Sequence, residues 1–311
     1  MVAGDWWLAS HQPLATSHQP PKYHYPVFQR RTTGSVVCPS CGSLVGVRDA
    51  SCYSCGRANP GLWGFGPALR RFGADFGFGP CVIGACAILY VASLLLSGNA
   101  IRMDGIMSML APTRPVLFLF GASGAQPVFT YGRWWTVLSA GWLHASLLHI
   151  FMNMYWVHQM GPAMTDILGP ARTVIIYTAG GVAGFALSSF AGAFLPQIPF
   201  LHGAGFTVGA SAPVFGLIGA LYHYGRTSSS LAKQMAQSIM IQAVLFGVLM
   251  GNSGIDNFAH LGGFAGGYMT SAFLDPMTRE RGDHLLIAIA CLVATALSVL
   301  ASILTGLALF R

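Results

Sequence analysis

Four groups of residues in this chain have types and spacings that could do chemistry. The stretch "GASAPVFG", Gly209 to Gly216, places the hydroxyl of Ser211 among small residues just where an apolar helix is expected to begin. A serine hydroxyl is a weak nucleophile at neutral pH and needs a base within hydrogen-bond reach. The same serine could simply cap the helix, since Ser is a favoured N-cap and Pro213 suits a first turn. A candidate base, His260, lies in "GIDNFAHLGGFAGG". Candidate donors to a developing negative charge lie in "GWLHASLLHIFMNM", which holds His144, His149 and Asn153. His149 and Asn153 are four residues apart and share one helical face. The fourth group, "CPSCGSLVGVRDASCYSCGR", is two Cys-x-x-Cys-Gly pairs separated by ten residues. Four thiolates, Cys38, Cys41, Cys52 and Cys55, would close a tetrahedral zinc site with no open position, a structural rather than catalytic arrangement. A redox dithiol or a pair of disulfides is the competing reading.

Composition says where the first three groups sit. Of 311 residues 54% are hydrophobic and 8% charged, against roughly 25% charged in soluble domains. The chain therefore reads as an all-α polytopic membrane protein. Apolar stretches approaching the roughly 20 residues of a bilayer helix fall near 80 to 98, 146 to 164, 171 to 192, 209 to 226, 234 to 251, 257 to 274 and 285 to 308, which makes seven spans. No apolar run resembling a signal-peptide core occurs in the first 79 residues, so the N-terminus is expected to stay inside. On that topology only Arg102, Arg114, Arg133 and Arg311 of the 16 lysines and arginines fall outside, in keeping with the positive-inside rule. The net charge of +7 is then an orientation signal and an attraction to anionic lipid, and no nucleic-acid partner is expected. A reducing interior favours zinc over disulfides at the four cysteines.

The expected organisation is a flexible tail over 1–35, a zinc ribbon over 36–58, a Gly-rich linker over 59–79 with Arg70 and Arg71 near the membrane surface, a membrane core over 80–275, and a seventh helix within 276–311. Cys81, Cys86 and Cys291 lie in apolar spans and are expected only to pack. Residues 100–140 form the longest connection and read as a loop lying partly in the outer interface. No Walker loop or dinucleotide fingerprint is present.

Polar groups inside a bilayer are costly and mark function by default. The helices predicted here carry His149 and Asn153, Ser211 and His260 at similar depth on one side of the membrane. Gly263 and Gly267 follow His260 on its own face, and Ala212, Gly216 and Ala220 form a matching small stripe beside Ser211, so the two backbones can approach closely. Phe215, one turn after Ser211, is placed to pack against the imidazole. No third orienting acid is expected, because Asp256 reads as a residue of the outer loop. The geometry asks for a Ser-His dyad, with His149, Asn153 and the Ser211 amide as oxyanion donors. Singly, each residue has a duller use: His144 as a helix cap, His149 and Asn153 as bonds to a neighbouring helix, His260 as a donor to a carbonyl.

These motifs, in this order, resemble the rhomboid intramembrane serine proteases over about residues 80 to 275. "HASLLHIFMN" is similar to the family's His, four residues, His, three residues, Asn signature; "GAS" to its Gly-x-Ser, including Gly209; and "AHLGGFAGG" to its Ala-His followed by Gly-x-x-x-Gly. The resemblance implies Ser211 as nucleophile, His260 as base, and His149, Asn153 and the Ser211 amide as oxyanion hole, with His144, Gly209, Phe215, Gly263 and Gly267 in support. It further implies a rhomboid-like six-helix bundle with a water-filled cavity, to which the seventh helix is an addition. The implied substrates are single-span membrane proteins whose helix unwinds easily and offers a small residue at the cut, in the cell membrane of a prokaryote. There are two departures. The glycine that usually follows the serine is Ala212, and the family's Trp-Arg pair aligns with Trp135 and Thr136, leaving Arg133 close but not equivalent. Competing functions are a non-catalytic rhomboid-like membrane-protein binder, and a transporter with a histidine proton relay, which would want intramembrane carboxylates that the spans hardly contain. No partner for the ribbon can be read from the sequence.

Overall fold

The structure is a computed structural model that describes residues 30–38, 41–66, 77–196, 203–228, 230–249, 255–275, 277–278 and 280–309. The expected flexible tail up to residue 29 and the linker stretch 67–76 with Arg70 and Arg71 lie outside the described residues.

Seven long helices stand within about one turn of the expected spans: α1 Phe78–Ser97, α2 Leu147–Leu168, α3 Pro170–Phe194, α4 Ser211–Thr227, α5 Ser230–Leu249, α6 Asn257–Leu274 and α7 Gly282–Leu309. Among the described residues, three of the helical stretches are long and apolar enough by themselves to cross a membrane: Phe78–Ala100, Pro170–Phe194 and Asp283–Ala308. α4 and α6 are shorter and rich in glycine and polar residues. The first and last helices present apolar faces outward. Leu95 on α1 and Leu304 on α7 are 77% and 61% exposed, as apolar side chains facing hydrocarbon would be.

The tightest packing joins α3, α4 and α6, with α5 and α2 against the flanks of α4. Its cause is legible in the glycines. A Cβ on Gly263 would collide with the carbonyl of Ala212, and one on Gly267 with the backbone of Gly216. On the other flank of α4, Gly216 and Gly180 leave only 2.8 Å for a Cβ. Without a hydrophobic drive between helices in lipid, contact at backbone distance is what holds such a bundle.

The connection over residues 100–140, expected to be a loop lying partly in the outer interface, is built of short helical pieces. These are a helix, Arg114–Phe120, a π-turn, Gln126–Thr130, and a one-turn helix, Thr136–Ser139, which runs on into a 3-10 turn, Ala140–Trp142. An antiparallel bridge pairs Arg102 with Ala111, and a second pairs Ser123 with Thr207, just before α4. At the opposite end of the bundle Arg172, 1% exposed, donates to the carbonyls of Asp275 and Thr278 and to His284 Nδ1, while its amide donates to Glu280 Oε1 at 2.8 Å. That network ties the start of α3 to the α6–α7 connection.

The cysteine segment folds as a hairpin, β1 Ser35–Val37 against β2 Leu44–Gly46, with Val36 opposite Val45. Val36, Val45, Val47, Cys38 and Cys52 make its small core.

Candidate active site

Ser211 is the first residue of α4, and its hydroxyl does not cap the helix: the N-cap residue is Ala210, with no side-chain capping bond. The turn before it depends on Gly209, whose φ of +132° is open only to glycine. The Gly209 amide donates to the carbonyl of Ala140 at 2.9 Å. A Cβ on Gly209 would stand 2.5 Å from His149 Nε2 and 3.7 Å from Asn153 Nδ2. The bare Gly209 backbone thus lets α2 present both side chains to the turn that carries Ser211.

On α2 the N-cap is Ser146, which accepts from the His149 amide. The duller use of His144 as a cap is thus taken by Ser146: His144 is buried, among the described residues neither of its ring nitrogens has a hydrogen-bond partner, and its ring stands edge-on to His149 at 5.2 Å. His149 Nδ1 accepts a long hydrogen bond from the Ala145 amide at 3.4 Å. That contact places the proton on Nε2, the nitrogen facing Gly209, as a donor. Asn153 donates one N–H to the His149 carbonyl at 3.0 Å within its own helix, and an amide nitrogen carries a second. Among the described residues neither side chain hydrogen-bonds a neighbouring helix.

His260 comes from α6. Its imidazole stacks on Phe215 with ring centres 4.2 Å apart and planes 8° from parallel, the contact expected from the spacing. The α4–α6 backbone contact at Ala212 and Gly263 holds the two helices at the depth where Ser211 and His260 lie. Among the described residues no hydrogen bond joins Ser211 to His260, and His260 does not serve a carbonyl. Catalytic hydrogen bonds are often long without substrate and tighten when it binds.

Asp256, expected in the outer loop, stands just before the helix. Asp256 is the N-cap of α6, accepting from the Ala259 amide at 3.0 Å. Its other carboxylate oxygen accepts from Ser188 Oγ on α3 at 2.6 Å, and Ser188 in turn accepts from the Ala204 amide. It fixes the start of the helix that carries His260, whose own amide donates to the Asp256 carbonyl at 3.1 Å. Nothing in the sequence singled out Ser188, one serine in an apolar Gly/Ala-rich span. The only available signal was Asp256 three residues before Ala259, the spacing of a cap.

Away from this site the four cysteines converge, their sulfurs all within 4.8 Å of one another. Cys38 and Cys55 are 3.8 Å apart, and Cys41 and Cys52 3.5 Å. A tetrahedral zinc with Zn–S bonds of about 2.3 Å asks for about 3.8 Å between sulfurs, so the four residues fit a metal. Among the described residues none of the four forms a disulfide. The two knuckles repeat each other. Gly42 and Gly56, at φ +76° and +70°, donate to the carbonyls of Cys38 and Cys52 at 2.9 Å. The Cys38 and Cys52 amides donate to Ser43 and Arg57 at 2.8 Å. Hydrogen bonding from Ser43 brings the Cys41 thiol down to about 6, which readies it as a thiolate ligand.

Comparison with known proteins agrees with this geometry. The rhomboid domain family matches residues 131–277. A putative rhomboid protease, YdcA of Bacillus subtilis (strain 168), is 28% identical over 58% of this chain and 94% of its own length. The rhomboid protease GluP of the same organism is 29% identical over 59% of the chain and 34% of its own length. The inactive RHOMBOID-like protein 8 of Arabidopsis thaliana is 32% identical over 50% of the chain and 42% of its own length. The chain thus spans nearly all of the first relative and less than half of the other two. Residues 131–277, holding α2 to α6 with Ser211 and His260, are therefore a membrane-embedded rhomboid domain.

Proposed function

We propose that the protein is an intramembrane serine endopeptidase that cuts transmembrane segments of other membrane proteins with a Ser211–His260 dyad. The observation that carries the reading is the convergence on one turn. His149 Nε2 faces Gly209 from α2, and two residues after Gly209 comes Ser211. One turn further, Phe215 holds the His260 ring.

In this reading Ser211 Oγ attacks the scissile carbonyl while His260 takes its proton. The developing oxyanion is met by His149 Nε2–H, the second Asn153 N–H and the Ser211 amide at a helix N-terminus. His260 then returns the proton to the leaving amine. Water deprotonated by the same imidazole attacks the acyl-serine carbonyl, and Oγ leaves with that proton. Phe215, stacked on the imidazole, sets the plane of the ring, the part a third residue plays in a triad. The N-terminus and ribbon are placed inside and the Ser211 end of the bundle at the outer face. Organisation into tail, ribbon, linker, core and seventh helix follows the sequence reading, with Cys38, Cys41, Cys52 and Cys55 holding one structural zinc.

A non-catalytic binder is the second reading, supported by the inactive relative. A serine-directed phosphonate separates the two. Covalent labelling of the wild type, lost in Ser211→Ala, is the result expected; an unlabelled wild type would leave binding as the function.

A further inference from the structure

The family's arginine is missing after Trp135, yet the structure supplies an anchor for residues 100–140 from another place. Arg133 is 1% exposed and has no carboxylate beside it among the described residues. Its guanidinium lies over the Phe118 ring at 4.1 Å and donates to the carbonyl of Phe118 and to that of Ser302 on α7, both at 2.7 Å. The neighbouring residues repeat the link. Trp135 Nε1 donates to Ser302 Oγ at 3.1 Å, and Ser298 Oγ donates to the Trp135 carbonyl at 2.7 Å. Ser298 and Ser302 are one turn apart on the same buried face of α7, 3% and 0% exposed. A charge and two hydroxyls buried in an apolar helix contact are costly unless each is held in place.

This contact continues to the nucleophile. Trp135 opens the one-turn helix Thr136–Ser139. Ala140 follows directly, and its carbonyl receives the Gly209 amide at 2.9 Å. Gly141 packs on Pro213, where a Cβ would stand 3.0 Å from the proline ring. From α7 to Ser211 there are thus only hydrogen bonds, a single helical turn and one backbone contact.

We infer that the seventh helix is a latch for the active site: Ser298 and Ser302, through Trp135 and Arg133, hold the segment whose Ala140 carbonyl sets the Gly209–Ser211 turn. Arg133, Trp135, Ser298 and Ser302 are positioning residues. They touch neither substrate nor reacting atoms, and they act on turnover through the placement of Ser211. The inference rests on the protease reading.

The test uses the full chain in liposomes, with a fluorogenic transmembrane substrate, the rate of phosphonate labelling of Ser211 and the melting temperature as readouts. Trp135→Phe and Ser302→Ala remove the two ends of one hydrogen bond. Each is expected to lower kcat and the labelling rate by up to about 10-fold, the scale of one hydrogen bond, with KM within about two-fold of wild type. The double variant should be no slower than the slower single one, as two ends of one contact require. Arg133→Lys should keep more activity than Arg133→Met, since it retains the charge and one donor. If Arg133→Met does not fold, the Trp135 and Ser302 pair still decides. Variants that melt lower yet label and turn over at the wild-type rate well below their melting point would overturn the latch while leaving the protease reading intact. A wild type that does not label at all would overturn both.

Discussion

Ser211 earns its proposed role by what it does not do. A capping serine would bond an amide of its own first turn, and this one leaves that place to Ala210. The oxyanion assignment is testable at Asn153, which has one N–H bonded to the His149 carbonyl. Asn153→Ala should lower turnover roughly 10² to 10³ fold with little change in KM, the usual cost of one oxyanion donor. Asn153→Asp should be worse, since a carboxylate repels the charge to be stabilised. Normal turnover with a lower melting temperature would reduce Asn153 to a structural residue and move the role to His149 and the Ser211 amide. At this scale the sequence showed residue types and spacing, and Phe215 against His260 could be expected from one helical turn. It did not show Ser188, Ser298 or Ser302, because serines are common in apolar helices and only a distant partner singles these out. Their partners lie 68, 163 and 167 residues away in the chain.

Among the elements, α4 and α6 depend on each other most. Gly263 faces the Ala212 carbonyl with no room for a side chain, so Gly263→Val must push the helices apart and should cost about 1–3 kcal/mol, as overpacking does. The readout is thermal unfolding in detergent, together with loss of phosphonate labelling. Unchanged melting would mean that the two backbones do not touch there. Asp256 holds the start of α6 through the Ala259 amide and Ser188. Asp256→Ala should destabilise by about 0.5–2 kcal/mol for the lost cap. The Asp256 carboxylate oxygens accept from the Ala259 amide and from Ser188 Oγ, so the substitution should not change the kind of chemistry; a loss of labelling as complete as in His260→Ala would instead put Asp256 in the catalytic machinery. The Gly-x-x-x-Gly stripe made this pairing legible in advance. The order within residues 100–140 was not, because Pro112, Pro115 and short apolar runs read equally as an interfacial loop, and what fixes them comes from α7.

The whole molecule joins two units built on different principles, a small core closed by four thiolates and a glycine-packed bundle closed around a buried turn. Cys38→Ser should abolish binding of the proposed zinc and loosen the hairpin while leaving the proposed protease activity intact; metal analysis and substrate cleavage on the same preparation check both halves. No metal in protein purified under reducing conditions would contradict the ribbon, and cleavage lost together with the metal would contradict the separation. The count of seven helices was readable from apolar stretches of near-bilayer length, while among the described residues three of those stretches are by themselves apolar enough to cross a membrane. The central claim is that one hydroxyl and one imidazole within this bundle cut a peptide bond. It is tested most directly by reconstituting wild type, Ser211→Ala and His260→Ala in liposomes with a terminally labelled transmembrane substrate and reading the products by mass. The account predicts a single cut within or beside the membrane segment by the wild type and none by either variant, with all three proteins folded; cleavage by either variant at close to the wild-type rate would contradict it.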